Sequence, residues 1–422
     1  MTDITLRPYQ EQAIAAVRAA YRKHRRVLLV APTGFGKTAT AAALIRWAVA
    51  KGRRVVFVVH RREIVLDTAR RIPGAGVVMS GHARTDAPVQ VCSIQTLVAR
   101  EAHPPADLLI WDEAHHCAAE TYREIAAQYP GAWHLGLTAT PERADGVGLR
   151  DAFDEIIVGA TVRDLQAGGY LAECDVIAAT TRESALAMDP VDAWHQYAGG
   201  RPTVAFHRLV AESKEFAARL GPMAAHIDGV THSRERDAAL AAFAAGELTV
   251  LSNVYVLTEG WDAPRAKVCL LARGCGAEGT YLQMVGRVLR RHGDERALVI
   301  DLAGVVREHG LPDEDRDFTL DGIHRKGKDD REWLCQCRTC GAVVRGVARG
   351  PACRCGAPWP PPPATAIEER PVVAVAAVAT RRERMTALDA LTATARARGY
   401  KPGWVGVRFK EQFGFWPKGL GQ

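Results

Sequence analysis

The chain has 422 residues, 48% hydrophobic and 24% charged, with a formal net charge of +7 at pH 7. That length is too great for one ordinary core and suits two or three domains, and the composition excludes disorder as the main state. No apolar stretch is long enough to span a bilayer and Met1-Thr2-Asp3 opens no secretory signal, so a cytoplasmic location with no membrane partner is expected. The mildly basic surplus permits a polyanionic partner.

In chain order, short apolar runs alternate with amphipathic stretches, the pattern of a parallel sheet wrapped by helices. Strands are predicted over residues 27–30, 55–60, 89–93, 108–111 and 135–138, with helices over 38–50 and 63–71 between them. A second such block has strands at 203–207, 226–227, 250–253, 268–271 and 297–301 and helices at 211–220 and 234–244. The boundaries that follow are a first lobe over 1–160, a connector over 161–185 and a second lobe over 186–330. A cysteine-rich element spans 331–357, a proline-rich linker 358–380 and a basic aromatic tail 381–422.

Ala31-Pro32-Thr33-Gly34-Phe35-Gly36-Lys37-Thr38 follows the first strand and opens a helix, as a phosphate-binding loop must. Glycines let backbone N–H groups approach phosphates, and the helix N-terminus favours their charge. Lys37 can reach the β and γ phosphates of ATP, and the Thr38 hydroxyl can ligate Mg²⁺. Downstream, an apolar strand ends in Asp112-Glu113, where a parallel sheet faces its ligand crevice. Asp112 is placed to hold Mg²⁺ through water, and Glu113 to orient and deprotonate an attacking water.

These motifs, with others in order along residues 4–310, resemble the superfamily 2 helicases. The resemblance implies an α/β fold of two tandem RecA-like lobes and an ATP hydrolase coupled to nucleic-acid translocation or unwinding. Leu6-Arg7-Pro8-Tyr9-Gln10 matches the adenine-recognising element, implying that Gln10 reads the base edge beside Arg7. Asp112-Glu113-Ala114-His115 and Gly136-Leu137-Thr138-Ala139-Thr140-Pro141 match the segments that couple hydrolysis to movement. In the fifth motif, 253–262, Gly260 and Asp262 are implied near the nucleotide. Gln283-Met284-Val285-Gly286-Arg287-Val288-Leu289-Arg290 matches the arginine-finger helix. Arg287 and Arg290 lie three apart, hence on one helical face, and can bring charge to the γ-phosphate from the second lobe. Such a finger is worth roughly 10³–10⁵ in rate.

By the same resemblance nucleic acid crosses both lobes opposite the ATP cleft. Candidate contacts are Arg61, Arg62, Glu63, Ser93, Gln95 and Thr96 in the first lobe and His207, Arg208 and Thr258 in the second. His115-His116 followed by Thr121-Tyr122 looks like the branch of restriction-enzyme motors and transcription-repair helicases. Asp301-Leu302-Ala303-Gly304, His309-Gly310-Leu311-Pro312, a cysteine cluster and Gly399-Tyr400-Lys401-Pro402-Gly403-Trp404 resemble the RadD-like DNA-repair helicases.

Cys337, Cys340, Cys353 and Cys355 supply four thiolates for a structural Zn²⁺, with Cys335 an alternative ligand; loose thiols or a redox pair are the competing reading. From Arg381 on, nine basic residues stand against three acidic ones among six aromatics. That pattern suits phosphate contact with base stacking, or a small helical domain whose aromatics are its own core. The expected function is an ATP-dependent DNA translocase or helicase in repair or recombination, RadD-like, acting as a monomer on single-stranded, forked or duplex DNA. Recombination or single-strand-binding proteins are the expected protein partners. An RNA helicase is the alternative, as is a motor or ATP-gated subunit of a nuclease or recombination complex.

Overall fold

The structure is a computed structural model describing residues 5–60, 62–83, 85–100, 103–117, 120–143, 145–178, 186–261, 264–324, 334–346, 350–360, 381–400 and 403–413. The side chains of residues 62, 63, 381–385 and 410–413 lie outside that description, as do Arg61 and Asp262 entirely. The chain divides into two compact units, Met1–Pro362 and Pro363–Gln422.

In the first unit the central apolar runs form strands buried on both faces, which only a sheet covered by helices allows. β1 (Arg26–Val30), β2 (Val55–Val59), β3 (Gly76–Val78), β4 (Val89–Ser93), β5 (Leu108–Asp112), β6 (Trp133–Thr138) and β7 (Glu155–Val158) make one sheet. Its order is β3-β4-β2-β5-β6-β1-β7, parallel throughout. β5, β6 and β1 are neighbours, so Asp112, Thr138 and the phosphate loop emerge side by side at one sheet edge.

The second sheet holds β8 (Cys174–Ala178), β9 (Thr203–His207), β10 (Ala224–Ile227), β11 (Val250–Asn253), β12 (Val268–Ala272) and β13 (Ala297–Asp301). The order is β10-β11-β9-β12-β13-β8, again parallel. The expected fold of two RecA-like lobes with flanking helices is thus present. Among the described residues no helix is long and apolar enough to cross a membrane.

Three departures concern the expected boundaries. The stretch 161–185 is not only a connector, because β8 lies in it and pairs with β13 from Cys174↔Ala297 to Ala178↔Asp301. A hairpin of β14 (Asp317–Thr319) and β15 (Gly322–His324) follows the second lobe in sequence but packs on the first. Leu320 at its tip is 4% exposed in a core cluster with Leu28, Leu149 and Phe153, a burial worth about 2 kcal/mol. Finally, β16 (Leu334–Gln336) and β17 (Ala342–Arg345) of the cysteine-rich element join the second sheet. β17 adds antiparallel to β8 and covers the edge of the second sheet.

The second unit contains the helices Arg381–Arg398 and Gly403–Phe413. Ala395 and Phe409 are buried, Tyr400 packs at a tilt against Trp404 with centroids 4.8 Å apart, and Arg408 lies over Trp404 at 5.8 Å. Lys401, Phe415, Trp416 and Lys418 of the basic aromatic pattern lie outside the described residues.

Candidate active site

The phosphate loop leaves β1 and turns on Gly34 and Gly36, both at φ +89°, before the helix Lys37–Ala50 begins. A Cβ on Gly36 would sit 2.4 Å from the Gln10 amide nitrogen, so the position tolerates only glycine. Lys37 Nζ donates to the Ala31 carbonyl at 2.9 Å. Burial lowers the Lys37 pKa, and the carboxylates of Glu113 and Asp112 oppose that shift. Thr38 follows on the first turn of the same helix.

Asp112 closes β5, where burial and then the Glu113 charge push its pKa up to about 7 against the pull of Lys37. Glu113 adopts φ 49°, a left-handed backbone that costs a non-glycine residue about 1–2 kcal/mol. That strained residue turns the chain into the short helix Ala114–His116. There His115 Nδ1 meets Thr138 Oγ1 at 3.2 Å, and Thr138 Oγ1 donates to the Thr140 carbonyl at 2.7 Å. The Asp-Glu-Ala-His turn and the Thr138–Thr140 segment are thereby one hydrogen-bonded unit.

The second lobe closes this cleft. Glu259 stands 3.5 Å from His115 Nε2 and 3.8 Å from His116 Nε2, while His115 Nδ1 is 3.5 Å from Glu113. Burial favours the neutral forms, yet His115 is raised by Glu259 and Glu113, and Glu259 is held far below the carboxylate range by the two histidines. Gln283 lines a cavity of about 450 Å³ with His115, His116, Thr140 and Glu259. Two glycines of the helix Glu278–Gly286 make the fit close. A Cβ on Gly279 would lie 2.5 Å from Thr140 Oγ1, and one on Gly286 2.4 Å from Thr33 Cβ.

The remaining expected residues are placed as follows. In Gln10, Oε1 accepts from Arg7 N and Nε2 donates to the Phe35 carbonyl, both at 2.9 Å. It props the phosphate loop. Arg7 instead lies 5.1 Å over the Tyr170 ring, and both line a cavity of about 530 Å³ with Gly34, Leu171, Arg290 and Arg291. Tyr170, in the Gly168-Gly169-Tyr170 run, is an aromatic wall the sequence reading missed.

Arg287 and Arg290 do not share a helical face, because the helix ends at Gly286 with Arg287 as its C-cap. Arg287 Nε donates to the Thr258 carbonyl at 3.1 Å, and its guanidinium also bonds the Trp261 carbonyl. Arg290 is held by the bridge Leu171↔Arg290, and its Cγ lies 3.8 Å from where a Gly34 Cβ would be. Both arginine charges bear on Lys37. Gly260 takes φ +74°, and a Cβ there would meet Ile64 Cδ1 of the first lobe at 2.5 Å, so its tight approach is to a side chain.

Of the nucleic-acid candidates, Gln95 is exposed on the short helix Ile94–Val98, where its Nε2 donates to the His60 carbonyl at 2.9 Å and its Oε1 accepts from Ser93 Oγ at 2.6 Å. Thr96 is half-buried beside it. His207 is 1% exposed against Phe216, with its pKa lowered to about 4 by burial and His226, so it is a core residue. Thr258 is also buried, and its carbonyl serves Arg287. A feature the sequence did not announce is Tyr255. It is 51% exposed at φ +62°, with the Arg273 guanidinium 3.7 Å over its ring.

The ligand atoms of Cys337, Cys340, Cys353 and Cys355 lie within 4.8 Å of one another, and Cys335 is outside that group on β16. Burial raises the Cys337 thiol, but N–H groups of Cys340 and Thr339 outweigh it and bring it down to about 6. Four soft donors in one cluster, one biased to thiolate, fit a tetrahedral Zn²⁺.

Residues 3–143 match the family model of the type III restriction enzyme res subunit, and residues 190–292 that of the helicase conserved C-terminal domain. The chain belongs to the superfamily 2 helicases. Its branch is that of restriction-enzyme motors and repair helicases. This helicase is 29% identical to a 51.5 kDa protein of a Lactococcus phage over 75% of each chain. It is 27% identical to the DNA 3'-5' translocase XPB2 of Sulfurisphaera tokodaii, over 71% of this chain and 81% of that one. The DNA-bound structure of the ATP-dependent type ISP restriction-modification enzyme LlaBIII superposes with a TM-score of 0.55 at 16% identity. That match covers 71% of this helicase and 28% of the longer enzyme.

Proposed function

We propose that this helicase is an ATP-driven DNA translocase of repair or recombination, RadD-like in its cysteine element and tail. The observation that carries the reading is the split site, with Lys37, Asp112 and Glu113 in one lobe and Arg290 brought to the same loop by the other. Bound ATP and Mg²⁺ supply the phosphoryl group and its counter-charge, with Thr38 and Asp112 as the metal-side ligands. Lys37 neutralises phosphate charge, and Glu113 orients water and takes its proton. Arg290 adds charge only when the lobes meet, so turnover and lobe movement are tied together. Arg287, held by Thr258 and Trp261, ties the fifth motif to that movement.

DNA as the track is supported by the family, by the relative named as a DNA translocase and by the nine basic residues of the tail. The exposed Gln95 and the Tyr255–Arg273 stack are candidate contacts with it. The cysteine cluster holds structural Zn²⁺.

Steady-state ATP turnover with single-stranded, duplex and forked DNA and with RNA tests the reading. DNA is expected to stimulate turnover, and Lys37→Ala to abolish it. Equal turnover with and without every nucleic acid, or stimulation by RNA above that by DNA, would overturn it.

A further inference from the structure

Residues 311–324 leave the second lobe, cross the cleft and end on the first, so the lobes are joined a second time beyond the chain between β7 and β8. At the root, Arg316 is buried and paired with Glu278. It also donates to the carbonyls of His309 at 3.0 Å, Leu311 at 3.2 Å and Glu314 at 2.7 Å. Glu278 is the first residue of the helix Glu278–Gly286, which carries Gln283 and leads into Arg287 and Arg290.

At the tip, the Leu320 carbonyl accepts from Leu149 N at 2.8 Å and Arg150 N at 3.0 Å, and its side chain is part of the first-lobe core. Arg150 forks onto Asp321 at 2.5 and 2.6 Å. Ile323 N donates to Glu142 Oε2 at 3.2 Å, two residues beyond Thr140. Pro312, Arg316 and Phe318 of the segment line one narrow cavity with Thr33, Ala139, Val285 and Gly286. One segment thus grips the start of the finger helix with one end and the end of the Thr138–Thr140 coupling segment with the other.

We propose that residues 311–324 are a positioning strap for ATP hydrolysis, in which Arg316 and Leu320 hold the finger helix against the coupling segment. This rests on the reading of Arg290 as the charge delivered in trans between lobes. The close approaches of Gly279 to Thr140 and Gly286 to Thr33 exist only at one lobe spacing. A second tether removes most of the chain entropy that reaching that spacing would otherwise cost. The planar guanidinium suits the root, because its fork satisfies a carboxylate and three carbonyls at once. Burying that pair specifies one register of strap on helix rather than adding stability.

The test compares wild type with Leu320→Asp, which undocks the tip, and with the double variant Arg316→Met/Glu278→Gln, which leaves no lone buried charge at the root. Leu320→Met serves as the conservative control. Expected is a fall in DNA-stimulated kcat of about 10²-fold with KM for ATP changed less than about threefold, because a small misplacement of the finger acts on the transition state. Leu320→Met is expected to stay near wild type. Small-angle X-ray scattering of nucleotide-free protein is expected to show separated lobes in both disrupting variants. Unchanged kcat with unchanged scattering in both would overturn the strap, as would a loss of melting temperature alone. If wild type turns over no ATP, the proposed function fails, and the scattering comparison still decides the strap.

Discussion

Two buried histidines, one in each lobe, make the protein's acid response readable. His134 accepts a hydrogen bond at Nδ1 from Trp111 Nε1 at 3.2 Å, and burial lowers its pKa to about 4. His207 is lowered to about 4 as well, by burial and then by His226. Each binds its proton more weakly folded than unfolded, so the unfolded chain takes up more protons and acid favours it. Stability is full above the ordinary histidine value of 6.5 and is lost as pH falls towards 4, by about 1 kcal/mol per pH unit for each ring. Urea midpoints across that range should show this slope, and His134→Gln or His207→Leu should each flatten it. An unchanged slope in both variants would contradict the assignment. Lys37, Asp112 and Glu113 are legible because phosphate chemistry demands those types after those strands. His207, Thr258 and Gln10 are polar residues at strand ends or in motifs, and only tertiary burial and partners tell that they face inward or brace a loop.

At the scale of elements, the central strands were legible as apolar runs bounded by turn residues. β8 was not, because the five residues Cys174–Ala178 gain their ladder from β13, more than a hundred residues on. The hairpin β14–β15 was hidden in a charged stretch, with Phe318, Leu320 and Ile323 its large apolar residues. The four zinc candidates were legible by spacing, whereas the exclusion of Cys335 needed the register of β16 on β17. Because β17 pairs with β8, metal loss should loosen the second lobe and spare the first. One Zn²⁺ per chain is expected by elemental analysis, lost when Cys337 and Cys340 are both replaced by serine. Hydrogen exchange should then rise in β8 and β17 and stay unchanged in β1 and β5. Metal-free wild type, or exchange that rises equally in both sheets, would contradict this.

At the scale of the whole molecule, the order of motifs along the chain foretold a site shared by two lobes, since neither carries both the phosphate loop and the arginines. The geometry adds how that sharing is enforced. Glu259 joins the second lobe to His115 and His116, Arg290 is fixed by Leu171, and the segment 311–324 returns from one lobe to the other. Hydrolysis and lobe spacing are therefore one variable, and a molecule built so should move along its track. Displacement of a third strand from triplex DNA, with and without ATP, tests that most directly. Displacement by wild type is expected only with ATP, with a loss of about 10³-fold or more in rate for Arg290→Ala. DNA-stimulated ATP turnover without any displacement, or full displacement by Arg290→Ala, would contradict it.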